Sequence, residues 1–368
     1  MPLVVHVVGA APTFVKVAPL VRALASSGVA QELWQTGPGD DPLLSPTLLS
    51  DLKLPTPTVN IDLEPGAGAE EGAPALRAFD RALARLPRPD FVVLPGDGSP
   101  FLAAARAARA REIPVAHLEA GLRSHDPTDP AERARVLVDQ NSSLLFTATV
   151  DGDENLLGEG FARSAVALVG STLVDSLLAA LPVSRERAVP DQLGLEGGNY
   201  ALLTLRQDAT LDDPEALGRV LAAVAKIADR LPVVFLVDPR SVGRLGAQAL
   251  APSLAALKLM RPLGFLDFVS LLAAARLVLT DSGELQDEAT ALGIPCLTLR
   301  ESTERAVTLR EGTNVLVGTD PARILAAARR ALDRLPRGEG PDLWDGSAGR
   351  RAAAALLDRA GSAASKAG

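Results

Sequence analysis

The sequence predicts an α/β protein built from two doubly wound domains, on three observations. Short apolar runs alternate with longer helical patterns along the chain, which is how parallel βα units read. The alternation halts in a proline-, glycine- and charge-rich stretch near residues 175–198 and then starts afresh. A length of 368 residues also exceeds what one ordinary hydrophobic core spans. The expected division is a first domain over 1–175, a linker over 176–198, a second domain over 199–345, and a terminal helix and tail over 346–368.

In the first half the expected strands are LVVHVV (3–8), ELWQT (32–36), FVVLP (91–95), IPVAHL (113–118), SLLFTA (143–148) and AVALVG (165–170). Between them, VKVAPLVRALASSG repeats apolar residues at three- and four-residue steps, with Gly28 placed to stop the helix. SPFLAAARAARARE is a second such helix, and EPGAGAEEGAP (64–74) reads as a surface loop. The second half offers YALLTL (200–205), VVFLV (233–237), LKLM (257–260), RLVLT (276–280), IPCLTL (294–299) and NVLVG (314–318). RRAAAALLDRA is a closing helix able to pack on either domain, and SAASKAG a frayed tail. Sheets of this kind bind ligands outside the carboxyl ends of their strands, and two such edges facing each other make a cleft.

Composition excludes several classes. Hydrophobic residues at 47% with 22% charged describe a folded chain, not a disordered one. A net charge of −8 argues against nucleic acid as partner, because a phosphate backbone needs a basic face. The single cysteine, Cys296, rules out an internal disulfide framework and sits in an apolar run as a small core residue. His6, His117 and His125 have no metal-ligand spacing, so no metal is expected. The start MPLVVHVVGA has no basic leader, and no apolar stretch is long enough for a membrane span. A cytoplasmic protein without a membrane partner is the expectation. The first strand-to-helix turn, VVGAAPTFVK, has neither the G-x-G-x-x-G nor the P-loop spacing, so neither a nicotinamide cofactor nor ATP is indicated. Lys16, one turn inside that helix, is placed to reach a phosphate.

Three carboxylates stand where chemistry is expected. Asp97 directly follows FVVLPG, and Glu119 follows IPVAHL at the equivalent point. Both therefore project from neighbouring strand ends. Glu132 lies in DPAERAR, after a proline-broken loop. Carboxylates converging on one pocket have their proton affinities pushed apart, so that one serves as base and another as acid. Each also has a structural role open to it. Asp97 before Gly98-Ser99 is equally a turn or cap residue. Glu132, third after a capping Asp129 and a first-turn Pro130, reads better as part of a capping box. Only Glu119, at the end of a buried strand, reads better as functional than as solvated. In LVLTDSGELQDEATALG (277–293) a strand gives way at once to a helix, whose free N–H groups and dipole make an anion site. Ser282 is placed both to cap that helix and to donate to a phosphate. Glu284 and Glu288 share one helix face, either as solvated charges or as ligands of a ribose diol.

At these residues the sequence resembles the non-hydrolysing UDP-N-acetylglucosamine 2-epimerases. PVAHLEAGLRS, TDSGELQDEA followed by GIPCLTLRESTER, and EGTNVLVGTD carry the likeness, which runs from Val7 to about Asp320. It implies a GT-B-like fold and inversion at C2 of UDP-GlcNAc to give UDP-ManNAc, through elimination of UDP to 2-acetamidoglucal and re-addition, without a cofactor. It places Asp97, Glu119 and Glu132 at the family's catalytic carboxylates. Ser282, Gly283 and Glu288 match the UDP-binding turn and ribose contact, Phe268 the residue beside the uracil, and Lys16 a basic residue of the first loop. Arg206, Glu284 and Arg305 complete the set expected around the substrate. The family further implies a homodimer and a role in polysaccharide biosynthesis.

The sequence departs from the family in five places. Gly9-Ala10-Ala11-Pro12-Thr13 stands where the family has G-T-R-P-E, without its arginine and glutamate. Arg206 and Asp238 occupy two positions where histidines are expected. The family's Gly-Gly has become Gly283-Glu284, bringing a carboxylate toward the expected phosphates. TGPGDDP (36–42) lacks the Gln-His linked in bacterial relatives to activation by a second substrate molecule. Arg206 still offers a fork that pairs with phosphate oxygens, but no proton shuttle near neutrality.

Overall fold

The computed structural model describes residues 2–37, 47–61, 73–195, 198–238, 241–246, 251–333 and 340–367. The chain divides into two compact units, one of residues 1–178 with 342–368 and the other of 179–341.

The first unit is a seven-stranded parallel sheet. Its strands are β1 (Leu3–Val8), β2 (Ala30–Thr36), β3 (Val59–Ile61), β4 (Phe91–Leu94), β5 (Val115–Leu118), β6 (Leu144–Thr147) and β7 (Val166–Leu168). They lie in the order β3-β2-β1-β4-β5-β6-β7. The second unit repeats the scheme with β8 (Ala201–Leu205), β9 (Val233–Val237), β10 (Lys258–Met260), β11 (Leu277–Thr280), β12 (Cys296–Thr298) and β13 (Asn314–Leu316). Their order is β10-β9-β8-β11-β12-β13. In each sheet the order reverses beside the first strand, between β1 and β4 and between β8 and β11. Doubly wound sheets place ligands at that reversal.

Every strand found from the apolar runs is present, most of them shortened by a residue or two, while β2 starts two residues earlier than expected. β3 escaped the sequence reading because it is only three residues long and lies at an edge, paired Trp34↔Val59. Strand burial on both faces explains the near-continuous apolar runs. In β8, Ala201, Leu203 and Leu205 join one core cluster while Leu202 faces another with Tyr200.

The segment 176–198, expected as a linker, is largely helical. The Thr172–Glu186 helix runs through the change of unit and a short turn, Val189–Gln192, follows. Of its polar residues Arg185 and Glu186 lie on the exposed face of that helix, while Ser176 and Ser184 are buried. The closing helix, Ala348–Ala367, belongs to the first unit and packs on the Ala11–Ser26 helix. Asp175 accepts the Gly349 N–H at 2.8 Å, and Trp344 Nε1 donates to the Ala148 carbonyl at 3.1 Å. Gly349 is seated so closely that a Cβ there would lie 2.6 Å from the Pro19 carbonyl carbon. The Ala348–Ala367 helix also takes in most of the segment expected to fray. Among the described residues no helix is long and apolar enough to cross a membrane.

Candidate active site

In the first unit the chemistry gathers beyond the carboxyl ends of β1, β4 and β5. Pro12 near the start of the Ala11–Ser26 helix supplies a preset φ. Thr13 ties the preceding turn to that helix, accepting the Gly9 N–H at 2.8 Å and donating to the Ala10 carbonyl at 2.7 Å. One turn on, Lys16 is buried, and its ammonium meets Glu119 Oε2 at 2.9 Å. The lysine expected to reach a phosphate therefore faces a candidate catalytic carboxylate.

Glu119 sits on an uncommon backbone. Its φ is 58°, the left-handed region that a residue with a Cβ seldom occupies outside over-determined sites. The following residues fix it there. Ala120 N–H bonds the Phe146 carbonyl of β6 at 3.0 Å. Gly121, at φ 78°, lies against Gly152 so tightly that a Cβ would collide with the Gly152 carbonyl oxygen.

Asp97 follows β4 and is the most open of the three, its side chain 43% exposed. Asp97 and Glu132 are joined by a residue the sequence reading passed over. Arg135 Nη1 bonds Asp97 Oδ2 at 3.0 Å, while Nη2 bonds Glu132 Oε2 at 2.8 Å and Asp129 Oδ2 at 3.2 Å. Its position three residues after Glu132 on the Pro130–Gln140 helix was the available signal, since that spacing puts both on one face.

Half of the expected capping box forms. Asp129 accepts the Ala131 N–H at 2.9 Å as N-cap. Glu132 does not reach back to it. It turns instead to the 124–125 turn, accepting the N–H groups of Ser124 at 2.9 Å and His125 at 3.0 Å, and the Ser124 hydroxyl at 3.1 Å. Those stronger, clustered donors explain the difference.

Behind the turn lies a second buried network. Asp139, with no exposure, takes His117 Nδ1 at 2.7 Å, Arg123 Nη2 at 2.8 Å and the Gly121 N–H at 3.2 Å. Burial opposes its ionisation, but His117 and Arg123 outweigh that and hold the carboxyl below its ordinary range. Burial likewise opposes the charge on Glu132, and the Ser124 N–H and Arg135 outweigh it. Both folded values lie below the unfolded ones, so the stability these groups add is complete above about pH 4.5 and drains as acid titrates them. The urea midpoint of the wild type against Glu132→Gln checks this. The gap is to be widest at neutral pH and to narrow on acidification, and a gap independent of pH would contradict it.

In the second unit the reversal between β8 and β11 is organised by Asp281. It has no exposure and accepts the N–H of Arg206 at 2.9 Å and of Gln207 at 3.0 Å. Burial pushes its carboxyl up despite those donors. Arg206 is thereby fixed at the end of β8, and its Nε lies 3.7 Å from the buried Asp238. The two residues standing at expected histidine positions are thus neighbours of opposite charge.

Ser282 occupies the N-cap of the Gly283–Ala291 helix but does not cap it. Its hydroxyl instead donates to Glu284 Oε2 at 3.1 Å, the carboxylate brought in by the Gly-to-Glu change. Gly283 leaves no room for a Cβ, which would collide with the Glu304 carboxylate. Glu304, itself 3.1 Å from Arg300, is a second acidic group at this helix tip that the sequence reading did not single out. Arg305 Nη1 pairs with fully buried Asp287 at 2.5 Å, so it braces the helix from within. Glu288 is buried on the same helix, and Phe268 packs half-buried on the Phe265–Ala273 helix. Residues 38–42 of TGPGDDP and 64–72 of the expected loop lie outside the described residues.

Two parallel doubly wound sheets with charged side chains collected at their carboxyl ends define a GT-B-like α/β protein. A family model described as UDP-N-acetylglucosamine 2-epimerase matches residues 22–357, and the chain belongs to that family. It is 33% identical to a UDP-N-acetylglucosamine 2-epimerase of Methanocaldococcus jannaschii over 354 residues, 94% of this chain and 96% of that one. It is 32% identical over 357 residues to a UDP-2,3-diacetamido-2,3-dideoxy-D-glucuronate 2-epimerase of Pseudomonas aeruginosa, 95% of this chain and 98% of that one. Among solved structures it is similar to the M. jannaschii UDP-GlcNAc 2-epimerase in complex with UDP-GlcNAc and UDP. There the TM-score is 0.89 at 32% identity, covering 97% of this chain and 99% of that one.

Proposed function

We propose that this chain is an isomerase that interconverts UDP-GlcNAc and UDP-ManNAc. The observation that carries the proposal is that Asp97 and Glu119 follow the paired strands β4 and β5, with Lys16 on Glu119 and Arg135 bridging Asp97 to Glu132. Inversion at C2 needs a group to take the C2 proton on one face of the ring and another to return it on the other. As the C1–O bond breaks, its electron pair leaves with UDP, which makes the C2 proton acidic enough to remove. The product pair is 2-acetamidoglucal and UDP. Protonation at C2 from the opposite face and re-addition of UDP complete the exchange.

Glu119 and Asp97 fit the proton-transfer roles. Glu132 already accepts three donors from the 124–125 turn and one from Arg135, so it serves chiefly to hold that turn and the guanidinium. The Ser282-Gly283 turn and Arg206 are the groups suited to the diphosphate, with Glu288 for the ribose and Phe268 for the uracil. Arg305 and Lys16 support the site through Asp287 and Glu119. The substrate is the only small-molecule partner proposed, and a homodimer and a cytoplasmic location are proposed with it.

A second reading is an epimerase of a related UDP-sugar. The P. aeruginosa relative and the altered Arg206, Asp238 and Glu284 favour it. Incubation with UDP-GlcNAc and, separately, with UDP-2,3-diacetamido-2,3-dideoxy-D-glucuronate, followed by NMR of the anomeric protons, decides between them. Formation of UDP-ManNAc supports the first reading. Turnover of the second sugar alone supports the second, and UDP binding without turnover of either describes a catalytically reduced homologue.

A further inference from the structure

We infer that Asp139 is a positioning residue, which locks the left-handed backbone of Glu119 and so aims that carboxylate. The inference rests on the epimerase reading for its catalytic consequence. Its structural half stands on the geometry alone.

Glu119 is strained by its φ of 58° and has chain on both sides that must be pinned for it to stay there. The chain before it is β5, held between β4 and β6. The chain after it has two N–H groups to place. The first, on Ala120, goes to the Phe146 carbonyl at 3.0 Å. The second, on Gly121, goes to Asp139 Oδ2 at 3.2 Å. The same carboxylate also takes His117, two residues before Glu119, and Arg123, four residues after it. One buried side chain therefore ties both flanks of Glu119 together.

Arg123 extends the tie. Its Nη1 donates to the Leu122 carbonyl at 2.8 Å, and Nε and Nη2 fork onto Glu159 at 2.7 and 2.8 Å. The Gly121 carbonyl is held in turn by Asn155 Nδ2 at 2.9 Å. Asp139 shares its helix with Glu132 and Arg135 at spacings of seven and four residues, so one helix face stitches the whole 119–125 turn. An asparagine at 139 puts an NH2 where one oxygen was. It then either meets the donors of Gly121 and Arg123 or faces His117 Nδ1, which must turn acceptor, and in both cases the negative charge that Arg123 pairs with is gone.

The test uses the full chain with Asp139→Asn, and Asp175→Ala as control. Asp175 is another buried carboxylate of the same unit and bonds Gly349, away from the turn. Hydrogen exchange of the peptide holding residues 119–125 is to speed up in Asp139→Asn and not in the control. With UDP-GlcNAc, kcat is to fall by about tenfold to a hundredfold while KM and the Kd of UDP stay within about threefold. Assays run well below both melting temperatures remove simple unfolding as a cause. Unchanged exchange in the turn, or a kcat loss no larger than that of the control, would overturn the inference. If the wild type turns over no UDP-sugar, the epimerase reading fails, and the exchange experiment still decides whether Asp139 holds the turn.

Discussion

Glu119→Gln is expected to lower turnover of UDP-GlcNAc by about 10³-fold, the range in which a positioned general acid or base contributes. Glutamine keeps the volume and the left-handed backbone, and it still offers Lys16 an oxygen across the 2.9 Å contact. What it removes is the capacity to take up a proton. Because the groups suited to UDP come from other segments, calorimetric affinity for UDP is to change by no more than about threefold. Steady-state rates with the variant and the wild type at one substrate concentration suffice. Undiminished activity would take Glu119 out of the mechanism.

The second large effect falls on stability. The Arg135 guanidinium is shared by Asp97, Asp129 and Glu132, and its side chain is only 6% exposed. Arg135→Met fills similar space but leaves three neighbouring carboxylates to repel one another. Breaking a buried ionic group in this way costs about 3 kcal/mol or more. For a unit of this size that is a fall of roughly 6–12 °C in Tm. Arg135→Lys restores the charge without the fork and is to recover part of the loss. Differential scanning fluorimetry reads all three proteins. A Tm shift under about 2 °C for Arg135→Met would show that the carboxylates find other partners.

The placement of Asp97 and Glu119 was legible because strand ends are local features. β4 and β5 pair directly, Leu94 opposite His117, so residues just beyond each strand arrive side by side. The strand-to-helix turn at Ser282 was legible for the same reason. Arg135 and Asp139 were not. In ERARVLVDQ they read as ordinary charges of a solvated helix, and their burial depends on the 119–125 turn folding over them. The left-handed φ of Glu119 has no sequence mark either, since glycine, which would announce it, stands two residues later. The destination of the closing helix also needed tertiary information: Gly349 and Asp175 decide it, and they lie 174 residues apart. The Arg206 and Asp238 departures became intelligible only as neighbours, where one buried acid stands beside the basic group offered in place of a histidine.

Proton NMR of UDP-GlcNAc incubated with the protein in deuterated water tests the central claim most directly, because every turnover by elimination must exchange the C2 hydrogen with solvent. Deuterium at C2 of both UDP-GlcNAc and newly formed UDP-ManNAc, lost with Glu119→Gln, is the predicted result. Formation of UDP-ManNAc with the original hydrogen retained at C2 would contradict it.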